Sequence, residues 1–216
     1  MNIDFSNLSA NQRYHLMTQT IIPRPIAWVL TDSGSSSALS SNSGTGKSNF
    51  NLAPFSYFTA VSSAPPILML SVGKKPNGDN KDTLANVINN KKLVIHIASL
   101  QQAEQVTKSA ETLPHGESEL NGSNLTTTAF DGFSLPRLAQ CQVAYGCELY
   151  EIKELGDTPQ SLIFAEVKQI YIDDAIVDVD DKQRVNIQAN KINPLARLGG
   201  GEYAGITAPF SISRPK

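Results

Sequence analysis

Six short, apolar, β-prone runs, set apart by turn-rich segments and only brief helical stretches, constrain this chain more than any other feature of its sequence. They are Pro25 to Thr31, Phe50 to Ser62, Ile67 to Gly73, Lys92 to Ala98, Gln142 to Glu151 and Leu162 to Ile172. A doubly wound parallel sheet needs a helix after nearly every strand, and a dinucleotide fold adds a GxGxxG turn. Neither is present, so the pattern predicts an antiparallel barrel or sandwich, mainly β with peripheral helices. With 216 residues, 40% of them hydrophobic, the chain is long enough to bury a full core as one domain over 1–216.

The runs differ in ways that predict their surroundings. Pro25 to Thr31 is too continuously apolar for clean alternation, which is the pattern of a strand buried on both faces. Leu162 to Ile172 alternates through Ile163, Ala165 and Val167, then changes phase at Ile170 and Ile172, which predicts a bulge or a curved strand. Ser63-Ala64-Pro65-Pro66 forces an extended turn between two runs. Ser9 caps a leading helix that ends before Pro23, Asp82 is the N-cap candidate of a two-turn helix carrying Leu84, Val87 and Ile88, and Gln101 to Ala110 is a third helix. Residues 113 to 136, with Pro114, Gly116, Gly122 and Gly132, read as an irregular surface excursion. Residues 33–48 are a polar, serine-rich insert that predicts a flexible hairpin tip. Its Gly46-Lys47-Ser48 is not a phosphate loop, because the required first glycine position is Ser41 and no helix follows.

Several function classes lack support. A net charge of -2 offers no field for nucleic acid or an anionic membrane. The apolar runs fall far short of the roughly 20 residues of a membrane span, and Met1 to Ser6 does not open an export signal. A soluble, cytoplasmic protein is expected. Cys141 and Cys147 fit neither a CxxC pair nor a zinc knuckle and read as reduced core thiols. His15, His96 and His115 lack metal-ligand spacing, and His96, in an apolar run, reads as a hydrogen-bonded core residue. No GxSxG surrounds Ser56. The Asp173 to Asp181 cluster lacks EF-hand spacing and reads as a solvated loop.

Two stretches carry chemistry. Lys81-Asp82-Thr83 opens a helix, whose free amides and positive dipole end suit a phosphate, with a lysine charge and a threonine hydroxyl added. An ordinary capped surface helix has the same signature. In Asn51-Leu52-Ala53-Pro54-Phe55-Ser56-Tyr57-Phe58, small residues such as Ala53 and Ser56 let backbone amides approach a polar heterocycle while the aromatics supply apolar surface. An edge strand feeding aromatics to the core fits that pattern equally well.

Taken in order, Pro23-Arg24-Pro25-Ile26-Ala27, the Asn51 to Phe58 stretch, Ser62-Ser63-Ala64-Pro65-Pro66, Lys81-Asp82-Thr83 with Asn86, and Pro194 to Gly200 before Tyr203 resemble the flavin reductase-like proteins with an FMN-binding split barrel. The resemblance implies Asn51, Ala53, Pro54, Phe55 and Ser56 along the isoalloxazine, and Ser62 and Ser63 near the ribityl chain. It implies Lys81, Asp82 and Thr83 at the phosphate, with Arg24 and Arg197 as further cofactor residues. It also implies a homodimer whose interface completes the site. The activity implied is reduction of flavin by NADH or NADPH, with reduced flavin passed to a partner monooxygenase or another electron acceptor. Non-catalytic, flavoredoxin-like electron transfer is the alternative. Hydride would pass directly from nicotinamide to flavin, with the protein supplying proximity, water exclusion and donors for the charge gained on reduction. Two departures stand out: the region corresponding to the family's Gly-Asp-His element, Thr158-Pro159-Gln160-Ser161-Leu162-Ile163-Phe164, lacks the histidine, and the insert after Asp32 is long.

Overall fold

The computed structural model describes residues 1–34, 48–114, 116–157 and 159–215. Helix α1 (Ala10–Thr20) is followed by strands β1 (Ala27–Asp32), β2 (Phe50–Phe55), β3 (Phe58–Ser63) and β4 (Pro66–Val72). Next come α2 (Asp82–Asn90), β5 (Lys92–Ile97), α3 (Ala103–Lys108), β6 (Val143–Leu155) and β7 (Gln160–Ile172). The seven strands form one antiparallel sheet in the order β2-β1-β5-β6-β7-β4-β3. A short three-stranded sheet joins Arg24–Pro25, Ala196–Arg197 and Tyr203–Ala204.

The connection between β2 and β3 sets the shape. These strands lie at opposite edges of the sheet, yet only Ser56 and Tyr57 separate them in the chain. Laid flat, the outer two of seven strands stand about 29 Å apart at a spacing of about 4.8 Å. The three Cα steps from Phe55 to Phe58 reach at most about 11 Å. The sheet is therefore rolled until its edges nearly meet, a barrel open along one seam, which is the split barrel. The run Phe50 to Ser62, expected as one strand, is thus two, because the chain changes edges at Ser56-Tyr57.

Both faces of β1 and β5 are buried. Ala27, Val29, Leu93 and Ile95 point to one cluster with Leu70, Val72, Cys147, Ile163 and Ala165, to which α2 contributes Leu84 and Val87. Burying each of those two helix side chains stabilises the fold by about 1.5–3 kcal/mol. Trp28, Leu30 and Val94 face the second cluster. The continuous apolar run of β1 has this cause, as expected. The phase change expected in β7 is a register shift between Val167 and Gln169 against β6.

The second cluster is covered by the segment expected to run over the surface. This segment and the short strand Arg137–Leu138 that follows bring in Leu120, Phe130, Leu135 and Leu138, all buried. Its aromatics sit close against the sheet: Phe130 and Phe133 have ring centroids 5.8 Å apart, and a Cβ added at Gly146 would lie 2.7 Å from the Phe133 ring. Its turn-rich composition hid a covering role, since its apolar residues follow no helix or strand period. Fully buried His96 joins this cover to the sheet. Its Nε2 accepts from Leu138 N–H at 2.9 Å, which leaves Nδ1 to donate to Trp28 O at 3.0 Å. Burial pushes its pKa down to about 4.

The helices form close to where the sequence places them. Ser9 and Gln12 make a reciprocal capping box for α1, which buries only Thr18. The third helix is a 3-10 turn, Leu100–Gln102, leading into α3. At α2 the N-cap is Lys81, and Asp82, expected there, is the first helical residue. Both cysteines are buried free thiols, their pKa values raised by burial to about 12. The polar insert lies outside the described residues except for Ser33, Gly34 and Ser48, as do His115 and Thr158.

Candidate functional site

A cleft of about 310 Å³ opens where β2 meets the start of α2. β2 supplies Asn51, Ala53, Pro54 and Phe55, and the helix start supplies Lys81, Asp82 and Thr83. The two stretches singled out in the sequence, about thirty residues apart, are therefore walls of one space. Asn51 fixes their spacing: its Nδ2 donates to Thr83 Oγ1 at 3.0 Å, with both side chains buried. Thr83 keeps its own hydroxyl proton to donate.

The cleft is lined by three ammonium groups, Lys74, Lys75 and Lys81, and three carboxylates, Asp82, Glu111 and Glu119. Lys75 is paired with Asp82 at 2.9 Å, both side chains 19% exposed. Lys74 donates to Asn80 Oδ1 at 2.6 Å. The Lys81 ammonium sits 5.8 Å from the Phe55 ring centroid, and burial lowers its pKa. The side chain of the N-cap residue, Lys81, makes no capping hydrogen bond, and the first intrahelical bond of α2 is from Ala85 N to Lys81 O at 3.1 Å. A helix start beside an ammonium held over an aromatic ring favours an anionic group.

β2 is the outer strand of the cleft wall, and its amides are already assigned. Leu52 N–H points away from β1 and donates to Glu119 Oε2 at 2.8 Å. Alternation along an antiparallel pair then turns the amides of Asn51, Ala53 and Phe55 into the β1 ladder, opposite Thr31, Val29 and Ala27. Pro54 falls on the outward side, so its missing N–H costs no ladder bond. The strand accordingly offers apolar surface, and the next outward-facing backbone position is Ser56, at the seam. Ser118 Oγ also donates to Phe50 O, so the covering segment closes the outer edge of β2.

The remaining residues from the sequence lie elsewhere. Arg24, 6% exposed, donates to the carbonyls of Thr18, Ile21 at 2.8 Å and Leu198 at 2.7 Å, and to Ser56 Oγ at 3.4 Å. It ties the end of α1, the seam and the C-terminal segment together. Arg197 pairs with Arg24 in the small sheet, donates to Gly200 O and stacks 4.6 Å from the Tyr203 ring centroid. Ser62 and Ser63 lie exposed on β3, the other edge of the sheet. Sequence reading missed Lys74, Lys75, residues 109–113 and Glu119 on the cleft. The lysines carry a usable signal, a basic pair closing the strand before Lys81, whereas Glu119 reaches the cleft only through tertiary folding. Burial raises the Glu119 pKa, against the lowering effect of Leu52 N–H. Asp173 and Asp180 serve local turns, accepting from Ala175 N and Arg184 N, each at 2.9 Å.

This fold defines a split-barrel protein whose cleft has an apolar wall on β2 and a polar end at the start of α2. The family described as "Flavin reductase like domain" matches residues 18–185, and the chain belongs to it. The structure of nitrilotriacetate monooxygenase component B from Bacillus cereus is similar, with 29% identity, 98% of each chain covered and a TM-score of 0.82. So is that of 2-nitrobenzoate 2-nitroreductase NbaA from Pseudomonas fluorescens, with 26% identity, 100% of this chain and 96% of the other covered, and a TM-score of 0.81. A split-barrel domain protein from Shewanella frigidimarina NCIMB 400 shares the fold at 17% identity, with both chains fully covered and a TM-score of 0.79.

Proposed function

We propose that the chain, acting as one unit over 1–216, binds FMN in this cleft and is an NAD(P)H-dependent flavin reductase. The observation that carries this reading is the junction of the β2 wall with the start of α2, held by Asn51 and Thr83. In it the phosphate meets Lys81, Thr83 and the first amides of α2, and the ring lies along Ala53, Pro54 and Phe55, with Ser56 at its polar edge. Bound flavin supplies hydride acceptance from NADH or NADPH and later electron donation. The protein's own work is to hold the phosphate, orient the ring and keep water from the reacting face. No side chain need act as a nucleophile.

Two further parts of the reading follow. At about 310 Å³ the cleft is at the small end for a cofactor site. A second copy would supply the remaining wall. The exposed side chains of Tyr14, Met17, Ile21, Ile22 and Val61 supply apolar surface for that homodimer. Likeness to component B of a monooxygenase supports delivery of reduced flavin to a partner oxygenase. Two free buried thiols suit a reducing, cytoplasmic setting. Among the described residues no helix is long and apolar enough to cross a membrane.

The test is anaerobic. Titration with FMN gives saturable binding, and adding NADH or NADPH bleaches the flavin absorbance near the rate of turnover. Binding without bleaching by either nucleotide turns the assignment to flavoredoxin-like electron transfer. Absence of binding removes both.

A further inference from the structure

Asn86 stands with Lys81-Asp82-Thr83 in the sequence, yet it lies behind the cleft, apart from the residues that line it. It is buried, 3% exposed. Its Nδ2 donates at 3.0 Å to Oγ1 of Thr31, a fully buried residue of β1 that is also outside the cleft lining. Thr31 is the cross-strand partner of Asn51, whose amide donates to Thr83. Two adjacent strand positions thus hold two positions of α2 three residues apart, which share one face of the helix. One turn further along that face, Asn90 Nδ2 donates to Asp32 O at 2.6 Å.

These ties do what the apolar face of α2 cannot. Leu84 and Val87 attach the helix to the core, but apolar contact has no direction and lets a helix roll. Hydrogen bonds fix the roll. The bond from Asn51 to Thr83 is one pivot at the helix start, and the bond from Asn86 to Thr31, on the neighbouring strand, is a second. At a Cα radius of about 2.3 Å, a roll of about 20° moves the first-turn backbone by about 0.8 Å and re-aims its free amides.

We propose that Asn86 and Thr31 are positioning residues for the anion site at the start of α2. They touch no ligand; they hold the first-turn amides and the Thr83 hydroxyl on the flavin phosphate. The proposal rests on the FMN reading of the cleft. Loss of the pair should weaken what the phosphate contributes and spare the ring, because Ala53, Pro54 and Phe55 are held by the β1 ladder and not by α2.

The test is a fluorescence titration of the unaltered chain, Thr31→Val and Thr31→Ser with FMN and with riboflavin, which lacks the phosphate. Valine keeps the shape of threonine and removes the acceptor, whereas serine keeps the acceptor. Thr31→Val should lower the preference for FMN over riboflavin roughly tenfold, with riboflavin itself changed by less than about twofold. Thr31→Ser should restore the preference. Asn86→Ala removes the same bond from the helix side and should move the ratio alike, so either variant decides the question if the other folds poorly. A pair that serves stability alone would lower the urea midpoint and leave the ratio unchanged, which overturns the proposal. No preference for FMN in the unaltered chain overturns the phosphate reading and the proposal together, whereas a preference that survives Thr31→Val overturns the proposal alone.

Discussion

Asn51 on β2 and Thr83 on α2 are joined by one buried hydrogen bond of 3.0 Å, and that bond sets the width of the cleft. Thr83→Val keeps the shape and strands the Asn51 amide. Urea unfolding should show a loss of about 1–3 kcal/mol. In a double-mutant cycle with Asn51→Ala the two losses should be less than additive. Strict additivity would mean the pair does not act as a unit.

Lys81 is the ammonium of the cleft held against Phe55, 5.8 Å from its ring centroid. Lys81→Gln should weaken FMN binding by about 1.5–3 kcal/mol, the range of a charge-assisted contact. Riboflavin, which lacks the phosphate, should bind both forms alike. Equal losses for FMN and riboflavin in a fluorescence titration would remove Lys81 from the phosphate end.

His96 makes stability depend on pH with a definite sign. Its folded pKa is about 4, below the ordinary 6.5, so between these values the unfolded chain binds more protons. Stability then rises with pH across that window, and is lost as pH falls from about 6.5 to about 4, by up to about 3 kcal/mol. The physical event is protonation of Nε2, which breaks its bond from Leu138 N–H. Denaturation curves taken across the window should show the slope, and His96→Gln should flatten it.

Arg24 holds three carbonyls and the Ser56 hydroxyl with one guanidinium. Arg24→Lys keeps the charge and loses the planar fork, so the fold should lose at least about 2 kcal/mol. Thermal unfolding measures the loss. An unchanged melting temperature would show that the four contacts contribute nothing net.

Much of the scaffold is legible in the sequence because its causes are local. Ser9 and Gln12 announce α1, the unbroken apolar run of β1 announces burial on two faces, and the phase change after Val167 announces a register shift. What stayed hidden depends on distance. Nothing in Phe50 to Ser62 reveals that Ser56-Tyr57 carries the chain between opposite edges of a sheet, because pairing partners lie far along the sequence. The cover built from Leu120, Phe130, Leu135 and Leu138 follows no period, so it reads as loop. At the site, β2 and the start of α2 were visible as motifs. Glu119 was not, because a lone glutamate in a turn-rich segment gains its place only when that segment docks on β2.

The junction at Ser56-Tyr57 also governs where this molecule can change length. Extra residues between β1 and β2, which are neighbours in the sheet, leave its circumference alone. An extra residue between Phe55 and Phe58 would let the two rims drift apart, shifting β2 against the start of α2 and freeing the Arg24 clamp from Ser56. The chain is therefore held to a fixed count at the seam, and a deletion or insertion there should abolish the cleft before it unfolds the core.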